Sequence, residues 1–461
     1  MIVRNEETAY ELPIRKLELI IITGAISAFA SLSIDTYLPA LPSLEHVFSA
    51  TSTQVQLTLA SFFVAFAMGQ VVYGPIIDRF GRKRPLCAAL LLYATASAGC
   101  ALAGSIGTLV MMRFVQALGA CAGGVIARAI VRDCFDAHET ARIFSLLILV
   151  TGLSPMLAPI LGGYVFVSFG WRAIFWLLSL IGMIFFAGVL FRLPETFHVD
   201  ANVTLKLGEI LTGYGRLLVN PHYMGYALAG AFCVAGMFAY IAGSPFVFIE
   251  LFHIMPSHFG WIFGMNALGF VVASQFNARL VPRYGPATLL KIANRVQTIA
   301  GVILLTAALT GAANMIRIMV PLFVYIACIG FILPNSTALA MAPFRASAGM
   351  VSALLGTVQF TLGAVASTII GMLHNQTPIP MSGVIAVCGM TSFGLYRKLI
   401  VSGEALPSRR VTDRSAGCEV QLEALGRAGE NRCVVFREAR NTNRVLSLDI
   451  SSALFYHPAH D

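Results

Sequence analysis

Apolar residues run along this chain in blocks too long for strands or ordinary core helices, and polar residues gather in the short gaps between them. Blocks of spanning length cover approximately residues 17–39, 55–77, 86–106, 108–131, 143–166, 172–192, 223–249, 258–278, 287–310, 315–340, 347–373 and 380–398. About 20 apolar residues, rising 1.5 Å each, cross the hydrocarbon of a bilayer. The pattern therefore predicts twelve transmembrane helices, here spans 1 to 12 in chain order. The longest gap, 193–222, holds Pro194, Asn220 and Pro221 and divides the spans six and six. That division predicts an N-terminal segment 1–16, a six-helix bundle over 17–192, a central cytoplasmic loop 193–222, a second bundle over 223–398 and a polar tail over 399–461. The tail is expected to be largely disordered, with enough apolar residues over 432–450 to fold locally. A faint internal echo supports duplication: Arg79, Phe80 and Gly81 after span 2 recur as Arg283, Tyr284 and Gly285 after span 8.

Composition agrees. The chain is 57% apolar and 11% charged, whereas soluble domains carry about 25% charged residues. The formal net charge of +9 would suit nucleic acid if it were clustered on a soluble face, so its placement matters. With spans alternating from a cytoplasmic N-terminus, twenty Lys and Arg residues fall inside and two, Arg172 and Arg317, outside. This asymmetry puts both termini in the cytoplasm, and it makes the charge a matter of topology, with no nucleic-acid partner. Met1 to Lys16 is polar and acidic, so span 1 reads as a retained anchor. The nine Cys residues sit mostly within spans without metal-ligand spacing, the nine His residues lie in loops, near span ends or in the tail, and no Gly-Lys dipeptide exists for a P-loop. Neither an enzyme nor a cofactor or metal site is expected.

An ionisable side chain inside a membrane is costly, so each one is a candidate for function. Asp35 lies about 6 Å from the outer end of span 1 and Arg113 about 7.5 Å from the outer end of span 4, at similar depth. Both share helix faces with small or hydroxyl residues: Gly24, Ser27 and Ser31 for Asp35, and Gln116, Ala117, Ala120 and Gly124 for Arg113. Both should point into the bundle. They form a structural ion pair, or Asp35 is simply hydrated near the surface, or the two are a coupling pair. Arg keeps its proton while the charge of a carboxylate answers to access, substrate and a nearby cation.

Three further runs carry chemistry. At the inner end of span 2 stand Gly74, Asp78, Arg79, Gly81, Arg82, Lys83 and Arg84. They resemble the G-x-x-x-D-R-x-G-R-[KR] motif of the major facilitator superfamily. Arg113 to Gly119 resembles that family's R-x-x-Q-G-x-G, with Ala117 in place of a Gly. Gly152, Pro155, Pro159, Gly162 and Gly163 in span 5 resemble its antiporter motif, with Ala158 for one Gly. With Asp35, Tyr37, Pro39 and Pro42 ending span 1, and Pro194, Glu195 and Thr196 after span 6, residues 16–398 resemble the twelve-span drug:proton antiporters of the Bcr/CflA (bicyclomycin and chloramphenicol resistance) subfamily.

The resemblance implies an all-α polytopic fold of two six-helix bundles in the bacterial inner membrane, acting as a monomer. It implies export of an amphipathic drug-like solute in exchange for protons. Asp35 and Arg113 are then the proton-coupling residues. Gly74, Asp78, Arg79, Gly81, Arg82 and Lys83, with Asp133 as partner, make an inner gate that ties the two halves together when the outer side is open. Tyr37, Gln116, Tyr240, Asn266 and Gln359 are candidate substrate contacts, scattered hydrogen-bonding groups in an otherwise apolar cavity. A metabolite or nutrient transporter of the same superfamily is the alternative, and a non-transporting sensor on the same fold a more distant one.

Overall fold

The computed structural model describes residues 16–135, 137–196, 207–310 and 314–401, together with four strands further on. Segment 1–15 and most of the expected tail lie outside the described residues. Twelve helices among the described residues are long and apolar enough to cross a membrane: Lys16–Phe48, Ser52–Phe80, Lys83–Ala101, Ile106–Cys134, Val150–Phe169, Trp171–Arg192, Pro221–Leu251, Pro256–Tyr284, Pro286–Leu309, Met315–Phe344, Gly349–Met372 and Ile379–Ile400. These are the spans read from hydropathy one for one, with shifted ends: span 1 runs on to Phe48, span 3 stops at Ala101, and the apolar part of span 5 starts at Val150. The end that carries residues 16 and 400 is called proximal, the other distal.

Local chemistry sets many of the boundaries. Thr51 and Gln54 form a reciprocal capping box at the start of span 2. The side chains of Ser105, Asn220 and Asn314 accept from the backbone amides of Thr108, Tyr223 and Arg317 at the starts of spans 4, 7 and 10. Gly81 and Gly285 take positive φ, 81° and 73°, immediately after spans 2 and 8, so the sequence echo is also an echo of backbone conformation that favours glycine.

Span 1 is broken. It runs as helices Lys16–Ser27 and Phe29–Asp35, tightens into a 3-10 turn at Leu38–Ala40 and resumes over Leu41–Phe48. Pro39 and Pro42 lack the amide protons a continuous helix would use. Span 7 changes at Pro245 from α-helix to a π-helical turn, Phe246–Leu251. Span 10 carries Pro321 and Pro334 inside it yet stays helical from Met315 to Met341. Neighbouring helices commonly allow a proline within a membrane helix.

The bundles meet along two seams of different texture. Spans 2 and 11 interlock through phenylalanines, with span 7 joining: Phe63 lies 4.4 Å from Phe238, and Phe66 4.3 Å from Phe360, centroid to centroid. Spans 5 and 8 approach through glycines, and a methyl group on Gly260 would sit 2.5 Å from the Ile160 backbone. Three hydrogen bonds between described residues cross from bundle to bundle: Thr53 Oγ1 to the Gly371 carbonyl (2.9 Å), Gln56 Nε2 to the Ala242 carbonyl (2.7 Å) and Thr357 Oγ1 to the Ala67 carbonyl (3.2 Å). On span 2 their positions run from the distal end to mid-height, so these bonds close the molecule on its distal side.

A helix over Leu207–Leu218 lies in the central loop, with Tyr214 and Leu217 buried. Beyond Val401 a separate unit holds a four-stranded antiparallel meander, β1 Thr412–Asp413, β2 Cys418–Leu422, β3 Arg432–Arg437 and β4 Leu446–Asp449. Strands β3 and β4 fall within the 432–450 segment that the sequence singled out for local folding.

Candidate functional site

Asp35 ends the helix Phe29–Asp35 at the break in span 1 and is 3% exposed. Its Oδ2 accepts a hydrogen bond of 2.7 Å from Ser31 Oγ, one turn earlier. The unwound stretch that follows packs on spans 5, 7 and 8. Span 7 carries Tyr240, which is 2% exposed. Tyr240 is stacked on Phe263 at 5.0 Å, and its hydroxyl accepts from Asn266 Nδ2 at 3.2 Å. The structure thus joins two of the predicted residues, Tyr240 and Asn266, to each other within the C-terminal bundle.

Arg113 goes elsewhere. It is fully buried, and Nη1 donates to the Ser33 carbonyl (3.0 Å) and to Gln116 Oε1 (2.7 Å). The guanidinium lies 4.4, 4.8 and 5.9 Å from the rings of Phe62, Tyr37 and Phe175, distances at which ring faces attract a cation. Its Nε and Nη2 have no hydrogen-bond partner. No ion pair joins it to Asp35 among the described residues, so the electrostatic pairing expected from equal depth is replaced by a bond to the backbone two residues before Asp35. Depth fixes height along a helix but leaves the direction of the side chain open.

Tyr37 and Gln116, expected at the substrate cavity, are likewise fully buried in the N-terminal bundle. Tyr37 bonds Thr58 (2.9 Å) and Gln116 Nε2 donates to Ser97 Oγ (2.7 Å). Both belong to the shell around Arg113. Gln359 is half-buried on span 11, beside Phe360 of the aromatic seam.

The antiporter-like glycines mark close approaches. A methyl on Gly162 would overlap the carbonyl oxygen of Thr36, the residue after Asp35, and one on Gly163 would overlap the Pro256 carbonyl at the start of span 8. Gly152 faces Val271 of span 8. Span 5 is thereby wedged between the Asp35 segment and the other bundle. Pro155 and Pro159 lie inside the same helix.

At the proximal end, Arg82 is 2% exposed and organises the gate motif. Its Nε donates to Asp133 Oδ2 at 2.8 Å, and Nη1 to the Ile77 carbonyl at 2.6 Å and to Asp78 Oδ1 at 3.2 Å. Asp78 and Arg79 are exposed, with Arg79 over the Phe80 ring, and a methyl on Gly74 would meet nothing within 4 Å. The sequence reading gave no role to Glu195. Its carboxylate accepts from the backbone amides of Arg82 (2.7 Å) and Lys83 (3.1 Å) at the start of span 3, where a negative charge is favoured. Gly81 leaves it room, since a Cβ there would lie 2.7 Å from that carboxylate. The Pro-Glu-Thr run after span 6 was the available signal. These bonds join spans 2, 3 and 4 to the beginning of the central loop, all within the N-terminal bundle.

Twelve spans in two six-helix halves, with a buried carboxylate inside the membrane and a charged proximal cluster, are the architecture of a membrane transporter. The profile of the Major Facilitator Superfamily matches residues 23–368. The chain belongs to this superfamily and is a multi-pass membrane transporter without an enzymatic role. It is 35% identical to an uncharacterised transporter of the superfamily, YdgK of Bacillus subtilis (strain 168), over 84% of this chain and 97% of that one. It is 31% identical to a bicyclomycin resistance protein homologue of Haemophilus influenzae (82% and 94%) and 29% identical to a chloramphenicol resistance protein of Pseudomonas aeruginosa (78% and 86%). The crystal structure of a D-xylose-proton symporter shares the fold, with a TM-score of 0.67 at 16% identity over 83% of this chain and 97% of that one.

Proposed function

We propose that this transporter exports amphipathic, drug-like molecules from the bacterial cytoplasm in exchange for protons, with the proximal end cytoplasmic and the protein a monomer in the inner membrane. Relatives named for bicyclomycin, chloramphenicol and multidrug resistance support the substrate class. The excess of basic residues on the proximal side supports the orientation.

The observation that carries the reading is Asp35. This carboxylate is buried where span 1 unwinds, without an ion-pair partner among the described residues, and touches the segment that Gly162 of span 5 abuts. A carboxylate so placed exchanges its proton only when one side opens to water, and the bundles decide which side that is. Here the distal side is held shut by the bonds of Thr53, Gln56 and Thr357, a resting arrangement from which the drug enters proximally. Gln359, half-buried beside Phe360 of the aromatic seam, offers a hydrogen-bonding group among apolar side chains at mid-height. Arg113 anchors the helix that bears Asp35, and Asp78, Arg79, Arg82 and Asp133 form the proximal gate.

Inverted vesicles loaded with a pH probe and acidified inside test this. Chloramphenicol, bicyclomycin and other amphipathic antibiotics, added singly, should release protons from vesicles bearing the wild type and fail to do so with Asp35→Asn. Exchange that persists in Asp35→Asn removes Asp35 from the coupling. Silence of the folded wild type across the panel overturns the drug reading in favour of a narrow metabolite carrier.

A further inference from the structure

Span 4 hides nearly every side chain along its middle and proximal length. From Ala117 to Val131 the one exposed residue is Arg128, which stands about 9 Å before the end of the span at Cys134. The contacts of its helix neighbours fix the face it occupies. A methyl on Gly119 would sit 2.6 Å from the Ala89 carbonyl of span 3, and Arg128, about two and a half turns later, lies on the opposite face. Cys121 Sγ donates to the Phe66 carbonyl of span 2 at 3.4 Å, and a methyl on Gly123 would overlap the Ile26 carbonyl of span 1. Between those two contacts the face is open: a methyl on Gly124, one turn before Arg128, would meet nothing within 4 Å. Span 2 makes one seam with span 11, and span 1 packs on span 5, which makes the other with span 8. The open face therefore looks between the seams, on the proximal side of the bonds that close the distal end.

The positive charge there is uncompensated. Arg128 makes no hydrogen bond or ion pair among the described residues. The proximal carboxylates of its bundle are engaged elsewhere: Glu18 with Arg192, Glu139 with Lys16, Asp78 and Asp133 with Arg82, and Glu195 with the amides that begin span 3. Arg132, one turn later, already serves topology at the end of the span. A fixed, unpaired charge in a recess with low-dielectric walls gathers ions of opposite sign and repels those of its own.

We infer that Arg128 is the specificity-determining residue of the proximal entrance, drawing anionic amphiphiles inward, admitting neutral ones and repelling cationic ones. This deepens the proposed export and rests on substrate entering from the proximal side. Arg128 has no bond to lose, so its replacement keeps the fold and changes the charge alone.

Two measurements test it. The first needs no substrate. In Gly124→Cys, whose new side chain has room, the thiol of the purified full-length protein is labelled with a sulfonate-bearing and with a trimethylammonium-bearing methanethiosulfonate of similar size, and labelling of the wild type is subtracted. Adding Arg128→Gln should shift the ratio of the two rates about tenfold toward the cationic reagent. Arg128→Lys should keep the ratio, and 1 M salt, at which the screening length falls to about 3 Å, should erase the difference. A thiol that neither reagent reaches, or a ratio that Arg128→Gln leaves unchanged, overturns the inference. The second compares binding of chloramphenicol, its anionic succinate ester and the cationic amine left when its dichloroacetyl group is removed, to protein in phosphatidylcholine nanodiscs. Arg128→Gln should weaken the ester about tenfold, leave chloramphenicol within about twofold and strengthen the amine. An order of affinities that this variant does not alter overturns the inference as well. Failure of all three to bind the wild type, beside a labelling ratio that follows Arg128, sinks the drug reading and leaves charge selection at the entrance standing.

Discussion

The two bundles bury polar side chains in different currencies. Among the described residues the buried charged side chains are Asp35, Arg82 and Arg113, all in the N-terminal half. The buried polar groups of the C-terminal half are neutral: Asn294 bonds Ser392, Gln297 bonds Cys233 and the Tyr325 carbonyl, and Asn335 bonds Asn277. Neutral amides and hydroxyls that bond across helices specify how those helices dock, and leaving Asn294 Oδ1 and Gln297 Oε1 without a partner costs less than leaving a charge so. A buried charge without a counter-ion costs more than it returns to the fold, so it persists where something other than folding requires it. The halves share one scaffold, while among the described residues the buried charges lie in the first. The second half answers them through hydroxyls, glycines and aromatic rings.

Arg113→Met bears hardest on this contrast. The arginine has no anionic partner among the described residues and two unbonded nitrogens, and three rings and two acceptors compensate it only in part. Replacement by an apolar chain of similar length should leave thermal stability unchanged or raise it, by up to about 1 to 4 kcal/mol in unfolding free energy. Drug-dependent proton release should fall by about a hundredfold or more, an amount on the order of 2.7 kcal/mol in the transition state. Melting curves and vesicle exchange on one preparation check it. A large loss of stability would make Arg113 a structural post and erase the difference between the halves.

The proximal ends of the halves offer a milder comparison. Glu195 caps the start of span 3 with a carboxylate, whereas span 9 begins with Pro286, which has no amide proton to satisfy. Glu195→Gln should therefore cost about 1 to 2 kcal/mol, seen as a lower melting temperature and a few-fold slower exchange as the support of Arg82 loosens. Pro286→Ala at the matching place should cost less than half as much. Equal costs would remove the asymmetry between the two gates.

Much of this was legible in the residues. Apolar blocks near twenty residues long gave the spans, and the glycines after spans 2 and 8 gave the repeat, because both rest on constraints local to the chain. The gate cluster was legible through Asp78, Arg82 and Asp133, charges at helix ends that need partners. The pairing of Asp35 with Arg113 was not, since two charges at one depth can face different neighbours, and rotation is set by packing against spans 2, 3 and 6. The helix at Leu207–Leu218 passed as loop because its apolar face is only twelve residues long. The bond between Glu195 and the amides of Arg82 and Lys83 joins positions 113 and 112 residues apart, a relation that no spacing along the sequence displays.

The smallest expected effect is the one that most sharpens the contrast. Asn294 Nδ2 donates to Ser392 Oγ at 2.9 Å while its Oδ1 has no partner, and Ser392 Oγ keeps its own bond to the Ala229 carbonyl at 2.8 Å. Asn294→Leu therefore strips one acceptor of a donor but also removes an oxygen that was already unsatisfied, and the two changes nearly cancel. Unfolding free energy should shift by less than about 1 kcal/mol, and exchange should stay within about twofold of the wild type. Were this variant to lose exchange as Arg113→Met does, the neutral core of the C-terminal bundle would have to act in transport. The division of labour between a charged half and a responding half would then give way to one polar network shared by both.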